Sequence, residues 1–291
     1  MLSLQKIYSH LINLSNFENW DAGLNGRSAV SLFFFHYYKL NNNVSAYNKG
    51  IELIEYELNN LENITNISLF NGLSGIAWVT NHLSDQKLLD LDHDTFLPSL
   101  LENQFQDFFF SKGSIISEEH FELNCGILFY FIERFSTTKS NALKKNYEIF
   151  INQGLILFTH FFYQINDNDY SKNISLMSLE LFLKILNVLK EIFPSPFLDF
   201  LITKTIEWVL KNNDLSSHKS VTKHIFKAAI YLNDNKLLKK VNILKKSKNT
   251  SISADLEYNI GIWNSGYSRQ GIKLIIEKAD FTKNSLQYLL E

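Results

Sequence analysis

The chain has 291 residues, 45% of them hydrophobic and 20% charged, with a net charge of −2. That balance predicts a packed globular protein and excludes one drawn by its overall field to nucleic acid or an acidic membrane. Only 3 Pro and 11 Gly stand against 24 Phe and 13 Tyr, which favours long helices over a strand-rich fold with many turns.

Met1 to Ile12 lacks the basic segment and long apolar run of a signal peptide. Further on, apolar residues recur at three- and four-residue steps. Val30, Phe33, Phe34 and Tyr37 make one stripe, and Val44, Tyr47, Ile51, Ile54, Leu58 and Leu61 a second. Leu97, Leu100, Leu101, Phe105 and Phe108 make a third. A fourth runs through Tyr147, Phe150, Ile151, Gly154, Leu155, Phe158 and Phe161. Each predicts one buried face of an amphipathic helix. Asn-rich and Ser-rich pieces at 41–43, 59–66, 166–173 and 211–217 predict helix ends and turns, and Pro194 and Pro196 another break. None reads as an interdomain linker, and no uncharged apolar run is long enough to span a membrane, so a single domain over residues 1–291 is expected.

A repeat underlies this pattern. Gly23-Leu24-Asn25-Gly26 precedes an apolar helix, Gly72-Leu73-Ser74-Gly75-Ile76-Ala77-Trp78 opens a similar one, and Leu123-Asn124-Cys125-Gly126-Ile127 a third, at intervals of about 50 residues. Weaker echoes begin near Ser175, Ser220 and Gly261. The period fits a helical-hairpin repeat. Paired glycines at a helix entrance allow close approach of backbones, and converging helix N-termini are expected to favour anions or electron-rich ligands.

The candidate site residues are few. Cys125, the one cysteine, excludes an internal disulfide, which suits a reducing cytoplasmic setting, and is too few for a cysteine-based zinc site. Its placement at a helix start would lower its pKa; the plainer reading is a small buried residue. Arg27, next to Gly26, is a candidate for meeting a substrate carboxylate or phosphate. Trp78 and Trp263 read as core or cavity-lining aromatics. Glu118, Glu119 and Glu122 either place a carboxylate at a cavity mouth or favour a helix start. His218 and His224, six apart, do not share a helix face. The loop with Asp85, Asp90, Asp92 and Asp94 between His82 and His93 reads as a solvated loop before a cation site. The basic run from Lys236 to Lys248 has no aromatic platform for nucleic acid and reads as a solvated face.

The run Ser68-Leu69-Phe70-Asn71-Gly72-Leu73-Ser74-Gly75-Ile76-Ala77-Trp78 resembles the S-L-x-x-G-L-x-G-I-x-W signature of lanthionine synthetase C-like proteins, and residues 23–38 resemble that family's first motif. The resemblance implies an all-α fold, an α/α toroid of repeated helical hairpins, incomplete or differently capped at its C-terminus. It implies a family that joins cysteine thiols to dehydroalanine or dehydrobutyrine in a precursor peptide, with zinc held by one Cys and a later Cys-His pair. This sequence departs from it. The first Cys would fall near Ser217-His218-Lys219, where there is no Cys, and the Cys-His pair near Leu256-Glu257-Tyr258-Asn259, where neither residue appears; Leu176 takes the place of the catalytic His. Glu119 alone matches the family's acidic position. The expectation is therefore a zinc-free protein with no metal or other cofactor and no cyclase activity, whose partner is a precursor peptide or a peptide-modifying enzyme. Two other readings stand beside it. One is an α/α-toroid enzyme working on a peptide or sugar, with Glu119 as its first acid. The other is a helical-repeat interaction protein.

Overall fold

The computed structural model describes residues 3–14, 17–111, 115, 117–167, 174–193, 195–212, 219–233, 238, 239, 266–279, 286 and 290. The described elements are helical, with no strand among the described residues. Helices α1 to α6 span Leu4–Ile12, Arg27–Asn41, Val44–Asn59, Leu73–Asp85, His93–Leu97 and Asn103–Ser111. Helices α7 to α12 span Glu118–Thr137, Asn141–Asp167, Leu176–Ile192, Pro196–Asn212, Lys219–Tyr231 and Tyr267–Ala279. A π-helical turn, Pro98–Glu102, joins α5 to α6 and interrupts the third predicted stripe, where proline opens the new turn. Side chains cap several helix starts: Ser3 on α1, Asn43 on α3, Asp92 on α5 and Ser175 on α9.

The helices fall into two compact units. In one, built from residues 1–107, 133–144 and 253–290, α2 packs on α3, α4 and α12, and α12 also packs on α1. Contacts 46 or 47 residues apart recur along α2 and α4: Asn25 with Asn71, His36 with His82, Lys39 with Gln86. A constant offset of one sign means the two helices run side by side in the same direction, as equivalent helices of successive hairpins do. In the other unit, built from residues 108–132 and 145–252, α9 packs on α10 and α11, and Phe121 of α7 meets Phe158 and Phe161 of α8 and Phe182 of α9.

Two predicted stripes are buried as expected, the four residues of α2 and all seven of α8, and in the third Leu97, Leu101, Phe105 and Phe108 are buried across the π-helical turn. On α3 the buried face is turned. Ala46, Gly50, Leu53, Ile54 and Glu57 point inward, while Val44 is 64% exposed. The cause is Gly50. Its missing side chain lets the Phe35 ring lie against α3, and Ser31 Oγ donates to its carbonyl at 2.9 Å. Close approach on the small face outweighs burial of Val44.

The glycine motifs touch each other. A Cβ on Gly75 would stand 2.0 Å from the Leu69 carbonyl oxygen and 2.8 Å from Gly23 Cα, and Gly23 itself has φ +65°. The obstacles are backbone and cannot swing aside. Gly154 differs, because its Cβ would meet only the flexible end of Leu128 at 3.0 Å. Gly75→Ala should therefore destabilise the protein by roughly 3 kcal/mol. Gly154→Ala should change stability by less than about 1 kcal/mol, helix propensity offsetting the contact. Urea denaturation of both variants checks this; equal losses would refute the backbone contact as the cause.

Candidate functional site

The helix entrances supply their own partners. Leu24 and Asn25 amides donate to the Leu69 and Phe70 carbonyls at 3.2 and 2.7 Å. Leu73 and Ser74 amides donate to Asn66 and Ile67 at 2.9 and 3.2 Å. These donors, expected to favour an anion at the two motifs, are thus satisfied by the loop before α4. Glycine brings that loop within reach, which the composition of the motif did not reveal.

Behind the first motif lies a buried charge pair. Arg27 Nη1 donates to the carbonyls of Phe17 and Glu18, each at 3.2 Å, and to that of Trp20. Its guanidinium lies 5.1 Å from the Tyr56 ring centroid, and Nε is 3.7 Å from Glu57 Oε1. Arg27, expected to reach a ligand, is thus turned onto the turn before α2 and onto α3. Ser28 Oγ donates to Glu57 Oε2 at 2.6 Å. Burial pushes the Glu57 carboxyl up to about 7, while the Ser28 hydroxyl, the Arg27 charge and the amides of Gly23 and Ser28 pull it down without cancelling that cost.

A second buried polar chain crosses α2, α4 and the end of α7. His36 Nε2 and His82 Nε2 are 3.3 Å apart, and His82 Nδ1 is 3.7 Å from Glu133 Oε1. Two facing imidazole nitrogens share one proton, so at least one ring is an acceptor there. Burial, with His82 and Lys39 adding to it, holds His36 well below its ordinary value. Trp78, fully buried, stacks on His82 at 5.2 Å and 12°. Arg134 Nε lies 3.0 Å from Glu102, Nη1 3.0 Å from Asn81 Oδ1, and Nη2 3.0 Å from Asp94. Burial works against the Asp94 carboxylate, but the Thr138 hydroxyl, Arg134 and the Lys139 amide outweigh it and lower its pKa. The acidic loop is therefore tied into structure: Asp94 holds Arg134, and Asp92 caps α5 and accepts from Thr95 Oγ1 at 2.7 Å.

In the other unit, α7 begins at Glu118, with the Ser117 hydroxyl accepting from the His120 amide at 3.2 Å. Cys125 is consequently two turns inside the helix and not at its start. It is fully buried, and burial followed by the Glu122 charge pushes its thiol well above the ordinary value. Glu119 is exposed. Its neighbours Glu118 and Glu122 turn toward α9. Glu118 Oε1 accepts from the Ser175 amide at 3.0 Å, and Ser178 Oγ lies 3.0 Å from Glu118 Oε1 and 2.7 Å from Glu122 Oε1. Burial opposes the Glu118 charge, but the bonds from Ser175 and Ser178 prevail and lower its pKa. Leu176 opens α9 between these serines. Among the described residues no three His, Cys, Asp or Glu side chains are grouped to hold a metal. Trp263, His218, Ser217, the run 256–259 and most of the basic run lie outside the described residues.

Glycine-opened helices in parallel hairpins, with this motif repeated at about 50 residues, define an all-α protein of the α/α-toroid class. The family of lanthionine synthetase C-like proteins matches residues 21–178, and the chain belongs to it. No curated protein and no solved structure matches the chain. No described helix is long and apolar enough to cross a membrane.

Glu57 makes stability depend on pH. Its folded value, about 7, lies above the ordinary 4.5, so folding takes up a proton between these pH values. Its contribution is fully present below pH 4.5 and is lost as pH rises through about 7. His36 has the opposite sign: its contribution is present above pH 6.5 and is lost as pH falls through its lowered folded value. Glu57→Gln should therefore gain on the parent protein as pH rises from 4.5 to 8, by about 2–3 kcal/mol. Urea titrations at several pH values measure this; curves that stay parallel would refute it.

Proposed function

We propose that this protein is a zinc-free, cyclase-inactive member of the family that serves maturation of a ribosomally made peptide by binding the precursor or an enzyme that modifies it. One observation carries the reading. The sequence has a single cysteine, and that cysteine is a fully buried thiol whose pKa is raised. The family's chemistry needs a cage of thiolate and imidazole that lowers an incoming thiol's pKa and keeps one position open to it. The residues present do not fit that metal. One inaccessible thiol cannot supply two thiolates, and raised pKa is the reverse of what metal ligation asks.

The surroundings of α7 and α9 support the same reading. The acidic side chains nearest the α9 entrance accept hydrogen bonds from Ser175 and Ser178, and Leu176 offers no proton-carrying group. What the family membership retains is the hairpin scaffold, whose paired motifs are intact at Gly23 and Gly72.

The test uses the purified full chain and a synthetic peptide carrying one cysteine and one dehydroalanine. Metal content by atomic emission, thioether formation by mass spectrometry after alkylation, and peptide binding by fluorescence anisotropy are read together. Expected are substoichiometric zinc, a peptide cysteine that remains open to alkylation, and saturable binding. Stoichiometric zinc with ring closure would overturn the inactive reading. Absence of binding both to the peptide and to a dehydratase of the same system would remove the holding role.

A further inference from the structure

We propose that the cavity bounded by α2, α3 and the loop after α4 binds a zwitterion with an apolar body, the chemistry of a bulky free amino acid or a short peptide. Its volume is about 500 Å³, within the range of small-molecule sites. Two tyrosines form one side. Tyr38 and Tyr47 have ring centroids 5.0 Å apart at 55°, and both are half-buried. Leu89 and Leu91 add apolar surface.

The charges are what single this cavity out. Lys87 and Asp90, three residues apart in one loop, both line it and both are exposed. No ion pair or side-chain hydrogen bond joins either of them to a described residue. Opposite charges that share a cavity without neutralising each other suit a ligand carrying both complementary charges: a carboxylate for Lys87, an ammonium for Asp90. An ammonium beside tyrosine faces gains a further attraction.

The backbone at Lys87 points the same way. The Leu88 amide donates to Leu83 O and the Lys87 amide to Ser84 O, each at 2.9 Å, which is the reciprocal bonding that ends a helix with a left-handed residue. Lys87 is that residue, at φ 55°. Elsewhere the chain places asparagine in this conformation, at Asn42 (φ 52°) and Asn233 (φ 53°), and glycine or asparagine is the residue type that suits it. A lysine there is a local strain, and strain of this kind collects at binding sites.

The experiment titrates L-leucine, L-leucyl-L-leucine and uncharged N-acetyl-L-leucinamide into the full chain by calorimetry. Expected is saturable binding of a zwitterion and at least about tenfold weaker binding of the uncharged probe. Binding of leucine itself identifies a free amino acid as sufficient, and binding of the dipeptide alone identifies a short peptide. Lys87→Asn removes the charge but keeps a residue that accepts the backbone, so its melting temperature should equal or exceed the parent's while affinity falls at least about tenfold. Asp90→Asn should weaken the zwitterion in the same way. No saturation by either zwitterion below about 10 mM, equal affinity for the uncharged probe, or a Lys87→Asn variant that binds as the parent does would each overturn the proposal.

Discussion

Gly23 and Gly75 bring two backbones together with no side chain between them, and the placement of α2 and α4 follows from that contact. With the entrances in register, the Leu24 and Asn25 amides reach the Leu69 and Phe70 carbonyls, and one helical length further on His36 meets His82. A Cβ at this junction displaces backbone, and the displacement is carried along both helices to every contact between them. The same closeness satisfies the helix ends internally. A motif that would otherwise present free N–H groups to a ligand instead joins one hairpin to the next.

The buried charges show how fine the balance is inside such a fold. Arg134 meets Glu102, Asp94 and Asn81, each at 3.0 Å, and Asp94 keeps a lowered pKa despite burial. Glu57 is fully buried, its Arg27 contact is longer at 3.7 Å, and Arg27 Nη1 is turned to backbone carbonyls. Desolvation then wins, and the carboxyl rises to about 7. The contrast is one of burial and geometry and not of residue type, since each case pairs an arginine with a carboxylate, but the Glu57 side chain is fully buried and that of Asp94 is 22% exposed.

Much of the fold was legible because helical burial writes itself into sequence at a fixed period. The stripes of α2 and α8 needed only that period, and the motif glycines marked the repeat. The α3 face was not legible, because the decisive residue is Gly50, which counts as no hydrophobe although it sets the closest approach. The Leu123–Ile127 motif has the pattern of a helix start, yet α7 begins five residues earlier, where Ser117 and two glutamates supply the stronger start signal. Site residues fared worse for a related reason. Among Glu118, Glu119 and Glu122, alignment with a family position favours Glu119, whereas helical geometry puts 118 and 122 on one face and 119 on another. Glu57, His36 and Arg134 carried no local mark, since their partners come from distant elements.

The α7–α9 contact bears on what the residues around Cys125 can do chemically. Thiol activation calls for an accessible sulfur, a low pKa and a proton carrier nearby. Around Cys125 these requirements are met in the opposite sense: the sulfur is enclosed, Glu122 adds negative charge, and leucine stands at the entrance of α9. Those same features stabilise the helix entrance. A carboxylate at the N-terminus of α9 complements the helix dipole, and Ser175 and Ser178 supply donors that keep Glu118 ionised. An acidic pair that serves in this way is bound into the structure by its bonds to Ser175 and Ser178.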